Sequence, residues 1–182
     1  CTRACSFCLV GTKKPAVPDP NEPKNIGIAI KTLGLKHAVI TCVARDDLAD
    51  DGAQHFVDTV NAIRDASPDT QIELLISDNR GHESSLDLIF DSQPDILNHN
   101  IETPLRLQRA VRPSANYARS MAVLTRAKEQ GLKTKCGIIV GMGETNAEIL
   151  QTLRDLKNAN VDIVTIGQYL QPRPTHLPVD RF

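Results

Sequence analysis

Strand-like and helix-like segments alternate along most of this 182-residue sequence, and that alternation limits the fold more than any other feature. Short runs rich in β-branched residues are each followed, except for the last, by a segment with apolar residues at helical spacing. The predicted strands are Ala38–Val43, Ile72–Ile76, Asp95–Asn98, Thr134–Val140 and Val161–Ile166. Alternation of this kind predicts an α/β fold, in which helices cover a parallel sheet.

The predicted helices begin and end at recognisable signals. They are Asn21–Leu33, Gly52–Ala66, Ser84–Phe90, Tyr117–Gln130 and a helix that opens at Thr145. Asn21 is a candidate cap for the first helix, and Gly34 follows its end. Thr145 and Glu148 have the spacing of a capping box. No linker or repeat interrupts the pattern, so we expect one domain over residues 1–182.

The balance of charge argues against two classes of partner. The 21 Lys and Arg residues nearly match the 22 Asp and Glu residues, so the chain lacks the basic excess that phosphate binding requires. No apolar run approaches the roughly 18–20 residues of a membrane span. We therefore expect neither a nucleic acid nor a membrane as partner. The sequence opens on a cysteine motif without an initiator Met, so we expect it to be part of a longer protein.

Three of the five cysteines lie within the first eight residues, as Cys1, Cys5 and Cys8. Three closely spaced thiolates can bind three irons of a [4Fe–4S] cluster and leave the fourth iron open to a ligand. A structural zinc site and a chance spacing remain alternatives, although zinc would need a fourth ligand and the nearest histidine is His37. The other two, Cys42 and Cys136, are expected to be small buried residues.

Polar residues cluster where the predicted strands end. The clusters are Thr41 with Arg45–Asp47, Asn98–Glu102, Gly141–Glu144, and Gln168 with Tyr169. The carboxyl ends of parallel strands meet at one edge of the sheet, and ligands of α/β proteins bind at that edge. The sequence therefore predicts a ligand site built from these clusters.

The cysteine motif, with the aromatic Phe7 before its last cysteine, resembles the signature of radical S-adenosylmethionine (SAM) enzymes. The chain as a whole resembles one family of them, the lipoyl synthases. The segments that carry the resemblance are Cys1–Cys8, Pro18–Pro23, Gly34–Lys36, Val39–Thr41, Arg45–Leu48, Asn98–Thr103, Val111–Pro113, Val140–Glu144, Gly167–Pro172 and His176–Val179.

This resemblance implies a partial TIM-type (βα)6 barrel. The family's first strand would lie before Cys1, so the five predicted strands would be strands two to six. Residues 1–170 would form the barrel and residues 171–182 a tail.

The resemblance also implies an activity. Members use a [4Fe–4S] cluster and SAM to make a 5′-deoxyadenosyl radical, and they insert sulfur at C6 and C8 of protein-bound octanoyl-lysine. The sulfur comes from an auxiliary [4Fe–4S] cluster whose ligands lie outside these residues, so this chain alone is expected to cleave SAM without inserting sulfur. Implied partners are octanoylated lipoyl-carrier domains or proteins and an electron donor such as flavodoxin or ferredoxin. The implied location is the bacterial cytoplasm or an organellar matrix.

Residue roles follow from the resemblance in the same way. Cys1, Cys5 and Cys8 would bind the cluster, and no side chain is expected to act as a general base because a carbon radical abstracts hydrogen without one. The residues expected to contact SAM are Thr41, Asn98, Asn100, Glu102, Ser120, Lys135, Gly141, Gly143, Gln168 and Tyr169. Gly141 and Gly143 would let the backbone approach the adenine, since glycine has no Cβ.

Two further residue assignments concern the basic run and His99. The basic run Arg106, Arg109 and Arg112 is a solvated face, or it meets an acidic carrier or the SAM carboxylate. His99 is expected to be packed rather than catalytic.

The alternative functions are a biotin synthase-like or other radical SAM enzyme and a non-catalytic iron–sulfur or zinc-binding module. A biotin synthase is not expected to carry Arg45–Leu48 or Gly167–Pro172 in this form.

Overall fold

The computed structural model describes all residues from 1 to 182, and its centre is a parallel sheet of five strands in sequential order. The strands are β1 (His37–Thr41), β2 (Gln71–Leu75), β3 (Ile96–Asn98), β4 (Thr134–Val140) and β5 (Ile163–Gln168). Strands that lie side by side in chain order, with helices returning the chain between them, form an open portion of a (βα) barrel. The predicted α/β class is confirmed.

Six helices accompany the strands, the first of them before β1. They are α1 (Glu22–Leu33), α2 (Ala53–Ala66), α3 (Glu83–Asp91), α4 (Gln108–Val111), α5 (Tyr117–Glu129) and α6 (Asn146–Asn158). Five of them were predicted to within one or two residues at the ends that the sequence signals fixed. The four-residue α4 and the 3-10 turns Asn79–Gly81 and Leu105–Leu107 were not predicted, because elements of three or four residues are too short to show an apolar period.

The helix caps follow the sequence signals in two cases of three. Thr145 and Glu148 form the predicted capping box, and Gly34 ends α1 in the left-handed conformation at φ 62°. The prediction for Asn21 is wrong, since its side chain caps no helical N–H. The backbone N–H and the side-chain Nδ2 of Asn21 instead donate to Asp19 Oδ1 at 2.9 and 3.3 Å.

The two faces of the sheet differ in chemistry. Ile72, Leu74 and Leu97 are fully buried among the helices, where they join the main apolar core. Glu73 lies between the first two on the same strand, so its side chain points to the opposite face. There the Glu73 carboxylate accepts hydrogen bonds from Asn98 Nδ2 at 2.7 Å and from Lys135 Nζ at 3.0 Å. The face turned away from the helices therefore carries a buried polar network.

The last twelve residues pack back across the carboxyl edge of the sheet, and we call residues 171–182 the strap. The Leu177 N–H donates to the Ser6 carbonyl at 3.1 Å, and the Asp180 N–H donates to the Gly141 carbonyl at 2.8 Å. The segment expected to be a tail thus connects the start of the chain with the end of β4. None of the helices is long and apolar enough to cross a membrane.

Candidate functional site

A cleft of about 500 Å³ opens at the carboxyl ends of the strands. All three cysteines of the motif line it, and so do three of the ten residues expected to contact SAM. These residues, with the arginine that joins them, are Cys1, Cys5, Cys8, Thr41, Asn100, Glu102 and Arg112. Parallel strands bring separate stretches of sequence to this one edge, which is why residues more than 90 positions apart share the cleft.

The three cysteines of the motif have free thiols and line the same cleft. No group of three or more His, Cys, Asp and Glu side chains lies close enough together to hold a single metal ion. Ligands of an iron–sulfur cluster each bind a separate iron and therefore surround a cavity. Cys1, Cys5 and Cys8 at one cleft are the donor set that a [4Fe–4S] cluster requires, one thiolate for each of three irons.

Backbone hydrogen bonds from three directions hold residues 1–8, which we call the cysteine loop. Thr2 N–H donates to the Ala44 carbonyl at 3.1 Å, and Ser6 N–H donates to the Val111 carbonyl at 3.0 Å. From the strap, His176 Nε2 lies 3.2 Å from the Cys8 carbonyl, and its buried Nδ1 has no partner. The loop therefore depends on elements distant in sequence for its shape.

Asn100 is held at the cleft by a glycine on the neighbouring strand. Its Oδ1 accepts the Gly137 N–H at 2.9 Å. A Cβ at position 137 would lie 2.5 Å from that oxygen, so a side chain there would displace the Asn100 amide. The first glycine of the Gly137–Glu144 segment therefore places an amide side chain in the cleft.

Glu102 and Arg112 place opposite charges beside the cysteines. The Glu102 backbone has φ 63°, and its Oε2 is buried without a hydrogen-bond partner. Burial raises the pKa of Glu102, and the nearby charge of Arg112 opposes that rise. Arg112 is buried and donates from Nη1 to the Ile101 carbonyl at 2.9 Å. Burial also raises the pKa of the Cys5 thiol, again opposed by Arg112.

The basic run separates into three environments. Arg112 lines the cleft, while Arg106 pairs with the Glu148 carboxylate at 2.6 Å and Arg109 is exposed. Only one of the three arginines can meet a ligand in the cleft.

Ser120 does not line the cleft. It is fully buried, and its hydroxyl lies 2.9 Å from His99 Nε2. His99 Nδ1 donates to the Ile76 carbonyl at 3.0 Å, so in the neutral ring Nε2 accepts the Ser120 proton. The prediction that His99 is packed is confirmed by its exposure of 1%. A contact between Ser120 and SAM stays a prediction, and in this structure its hydroxyl is used by His99.

Lys135 and Asn98 lie outside the cleft lining as well. Both bond to Glu73 within the polar network of the sheet. The Asn98 Oδ1 atom is buried without a hydrogen-bond partner. Their assignment to SAM stays a prediction.

The glycine turn after β4, Gly141–Glu144, is held by hydrogen bonds between its own residues. The Glu144 carboxylate accepts the Gly141 N–H at 2.7 Å and the Met142 N–H at 2.9 Å. A Cβ on Gly141, at φ 100°, would lie 2.4 Å from Gln168 Nε2 and 2.6 Å from the Arg181 carbonyl oxygen. The space beside Gly141 is filled by the chain itself, whereas nothing lies within 4 Å of a Cβ at Gly143. Tyr169 is buried, and its hydroxyl donates to the Leu177 carbonyl at 2.6 Å.

The two remaining cysteines occupy different environments. Cys136 is fully buried, as predicted. The prediction for Cys42 is wrong, because this residue is exposed just beyond the end of β1 and lines the cleft. An edge strand has a neighbour on one side only, which leaves the end of β1 open.

Three polar residues important to the site were not predicted: Arg3, Asp78 and Glu73. Asp46 belongs to the cluster Arg45–Asp47 that was expected at the end of the first strand. Glu73 could have been noticed as a lone acid within an apolar strand. Ser77, Asp78 and Asn79 follow β2 as a polar cluster of the kind that marked the other strand ends. Arg3 carries no comparable signal, because a charged residue in a loop is usually solvated.

Comparison with known proteins identifies the class of this chain. Residues 1–167 match the radical SAM superfamily, and the chain belongs to that superfamily. Over its whole length it is 55% identical to the lipoyl synthase of Chlorobaculum tepidum and 49% identical to that of Chromobacterium violaceum. It spans 63% and 59% of the length of those two proteins.

Solved structures agree on the fold. Streptococcus suis SuiB bound to S-adenosylmethionine matches with a TM-score of 0.77 at 13% identity, over 100% of this chain and 41% of that one. Methylornithine synthase (PylB) matches with a TM-score of 0.73 at 20% identity, over 100% of this chain and 53% of that one. At such identities the likeness concerns the fold alone.

Proposed function

We propose that this chain is the core of a radical SAM enzyme of lipoate biosynthesis, which inserts sulfur at C6 and C8 of protein-bound octanoyl-lysine. The observation that carries the proposal is the identity of about half of the residues to lipoyl synthases across 100% of this chain. A superfamily match alone would leave the reaction open. The relatives reported above are lipoyl synthases, which favours this reaction over the biotin synthase-like alternative.

The cleft has the donors that the cofactors of such an enzyme require. Cys1, Cys5 and Cys8 would hold a [4Fe–4S] cluster, and Asn100 and Glu102 would offer an amide and a carboxylate to the ribose hydroxyls of SAM. The partnerless Glu102 Oε2 is a buried acceptor that a ligand hydroxyl would satisfy. When bound and supplied with one electron, these cofactors yield methionine and a 5′-deoxyadenosyl radical that abstracts hydrogen from unactivated carbon.

The protein's own part is to bind, orient and exclude water. Arg112 is shielded from water near Cys5, and its charge favours the Cys5 thiolate, the form that iron binds. Leu75, Ile76 and Val43 give the cleft an apolar wall. Such a wall suits an octanoyl chain and keeps solvent hydrogen donors from a carbon radical.

The proposed macromolecular partners are an octanoylated lipoyl-carrier domain and a small one-electron donor such as flavodoxin or ferredoxin. The carrier must present its lysine arm to the cleft, since C6 and C8 have to reach the radical. The auxiliary cluster belongs to the proposal for the whole enzyme. We expect SAM cleavage from this chain, and sulfur insertion only where the auxiliary cluster is present as well.

SAM cleavage is tested by anaerobic reconstitution with iron and sulfide, followed by electron paramagnetic resonance of the reduced sample with and without SAM. We expect a [4Fe–4S] signal that changes on adding SAM, together with 5′-deoxyadenosine and methionine as products. Cys5→Ala should abolish both, whereas Cys42→Ala should retain them. Zinc without sulfide in the folded chain would contradict the proposal and favour the zinc-binding alternative.

Sulfur insertion is tested with a protein that carries both clusters, an octanoyl-lysine peptide and mass spectrometry. The expected product carries two sulfurs, at C6 and C8. Cleavage of SAM without any thiolated octanoyl product, from a protein with both clusters intact, would contradict the assigned substrate.

A further inference from the structure

Arg3 lies between two of the cluster ligands and is one of the most buried charges of the site. Its side chain is only 6% exposed. Nε and Nη2 donate to the two oxygens of Asp46 at 2.9 and 2.8 Å, a bidentate arrangement. Nη2 also lies 2.6 Å from Asp78 Oδ1. One guanidinium within the cysteine loop is thus shared by two carboxylates that come from the ends of two different strands.

Asp78 is itself held from several sides. Its second oxygen pairs with Arg119 of α5 at 3.1 Å, and its first accepts the Arg80 N–H at 3.2 Å. Burial alone would raise the pKa of Asp78, but the charge of Arg3 beside it keeps that pKa below its ordinary value. Asp78 is therefore a buried carboxylate ion with a fixed direction.

A strained turn follows Asp78. Asn79, Arg80 and Gly81 have φ values of 42°, 52° and 78°, so three consecutive residues occupy the left-handed region. Strain of this kind persists only where the surroundings fix it, and it concentrates at functional sites. Here Arg80 is fixed by Asp51 at 2.7 Å, and the turn directs the Asp78 carboxylate toward Arg3.

We propose that Asp46 and Asp78 are positioning residues that clamp Arg3 and so preform the cysteine loop for its cluster. Asp46 contributes from the loop after β1, and Asp78 contributes from the strained turn after β2. Neither needs to touch the cluster or SAM. The inference rests on the proposed function in one respect only, that Cys1, Cys5 and Cys8 are the cluster ligands.

The first test compares amide hydrogen exchange in the cluster-free full chain. We expect Arg3→Lys and Asp78→Asn to speed exchange at Thr2 and Ser6 by about tenfold or more, because a charged hydrogen bond that holds the loop is lost. Asp87→Asn is the matched control. It also removes a carboxylate that pairs with an arginine of α5, at 2.8 Å from Arg126, but outside the cleft. In Asp87→Asn the amides of the cysteine loop should exchange at the wild-type rate.

The second test is cluster content and the spectrum of the reduced cluster after anaerobic reconstitution. We expect Arg3→Lys and Asp78→Asn to bind less iron and sulfide per chain and to show an altered resonance signal, while Asp87→Asn matches the wild type. Arg3→Lys keeps the charge, so a defect in this variant reports the lost bidentate geometry. If Asp78→Asn does not fold, Arg3→Lys decides the question, because Arg3 lies in a loop outside the apolar core.

Two outcomes would overturn the proposal. One is wild-type exchange and cluster content in folded Arg3→Lys and Asp78→Asn. The other is faster exchange with unchanged cluster content and spectrum, which would make the clamp a structural contact without a role toward the cluster. Failure of the proposed function has a different signature, namely a wild-type protein that binds its cluster and cleaves SAM but forms no thiolated product.

Discussion

Asn100 owes its place in the cleft to a residue without a side chain. Gly137 donates its N–H to Asn100 Oδ1, and a Cβ at Gly137 would lie 2.8 Å from Asn100 Cγ. A contact below 3 Å forces one of the two to move, and Asn100, at the edge of the cleft, is the freer of the two. A single methyl group at position 137 would therefore remove a proposed SAM contact without touching SAM.

We expect Gly137→Ala to weaken SAM binding by roughly tenfold, the effect of losing about one well-placed hydrogen bond. Isothermal titration of the reconstituted chain with SAM measures the change. Gly167→Ala is the control, since Gly167 lies on the adjacent strand and a Cβ there meets nothing within 4 Å. Equal SAM affinity in wild type and Gly137→Ala would show that Asn100 has no part in binding.

His99 makes a prediction about stability and pH. Burial lowers its pKa from 6.5 to about 4, with Arg112 adding to the fall and Asp78 opposing it. As the pH falls, the His99 imidazole gains its proton near pH 6.5 in the unfolded chain but only near pH 4 in the folded chain. The contribution of His99 to the free energy of unfolding is therefore fully present above pH 6.5. It is lost as the pH falls toward 4, by roughly 3 kcal/mol in total.

Urea unfolding of wild type and His99→Gln between pH 7 and pH 4 checks this expectation. The variant should be less stable at pH 7, because Ile76 and Ser120 lose a fitted partner. Its free energy of unfolding should fall less steeply over that interval. Parallel curves for the two proteins would contradict the assignment.

Residues at strand ends could be predicted from sequence better than the residues that support them. Thr41, Asn100 and Glu102 reach the cleft because parallel strands end at one edge. Ser120 lies on a helix, and the direction of a helical side chain depends on how that helix packs. Its use by buried His99 could not be deduced from its position in the chain. Arg3 and Asp78 are 75 positions apart, and only the fold brings them together.

Among the elements, the turn Asn79–Gly81 has an importance out of proportion to its length. Non-glycine residues in sparsely populated backbone regions cost on the order of 1–3 kcal/mol each. Asn79 and Arg80 both carry that cost, and Gly81 avoids it. The long helices and strands were predicted because apolar periodicity identifies them, whereas a three-residue turn has no period and its strain leaves no mark in the sequence.

Gly81→Ala and Gly131→Ala form a matched pair. Their φ values are 78° and 82°, so both should lower the free energy of unfolding by about 1–2 kcal/mol in urea titrations. Only Gly81 adjoins the Arg119 side chain, where an added Cβ would lie 3.5 Å from Cδ, and only its turn carries Asp78. We expect faster hydrogen exchange of the cysteine loop in Gly81→Ala alone. Equal hydrogen-exchange rates of the cysteine loop in the two variants would show that the turn does not hold the loop.

On the scale of the whole molecule, the strap joins parts of the structure that the sheet leaves apart. It bonds to the cysteine loop at Ser6 and to the glycine turn at Gly141. Tyr169 anchors it from the end of β5 through the Leu177 carbonyl. The sequence predicted a proline-containing tail here, because the partners of the strap lie up to 168 positions away and several of its contacts are backbone hydrogen bonds that any sequence could make.

The chain has only two tyrosines, and they provide a controlled test of the strap. Tyr169→Phe and Tyr117→Phe each lose one hydroxyl hydrogen bond, to Leu177 at 2.6 Å and to Asp155 at 2.7 Å. Each should cost about 1 kcal/mol of stability. Only Tyr169→Phe is expected to speed removal of the cluster by a chelator, measured by the loss of visible absorbance. Equal rates for both variants would show that the strap does not shield the site.

The contact between His176 and Cys8 spans 168 residues and has a consequence for biosynthesis. A ribosome adds about 5–20 residues per second, so the cysteines leave the exit tunnel roughly 10–30 s before the residues that enclose them. During that interval the nascent chain carries three uncovered thiols. The cysteine loop therefore gains its His176 contact only after translation has passed the strap, and a cluster bound earlier would lie on a loop without that contact.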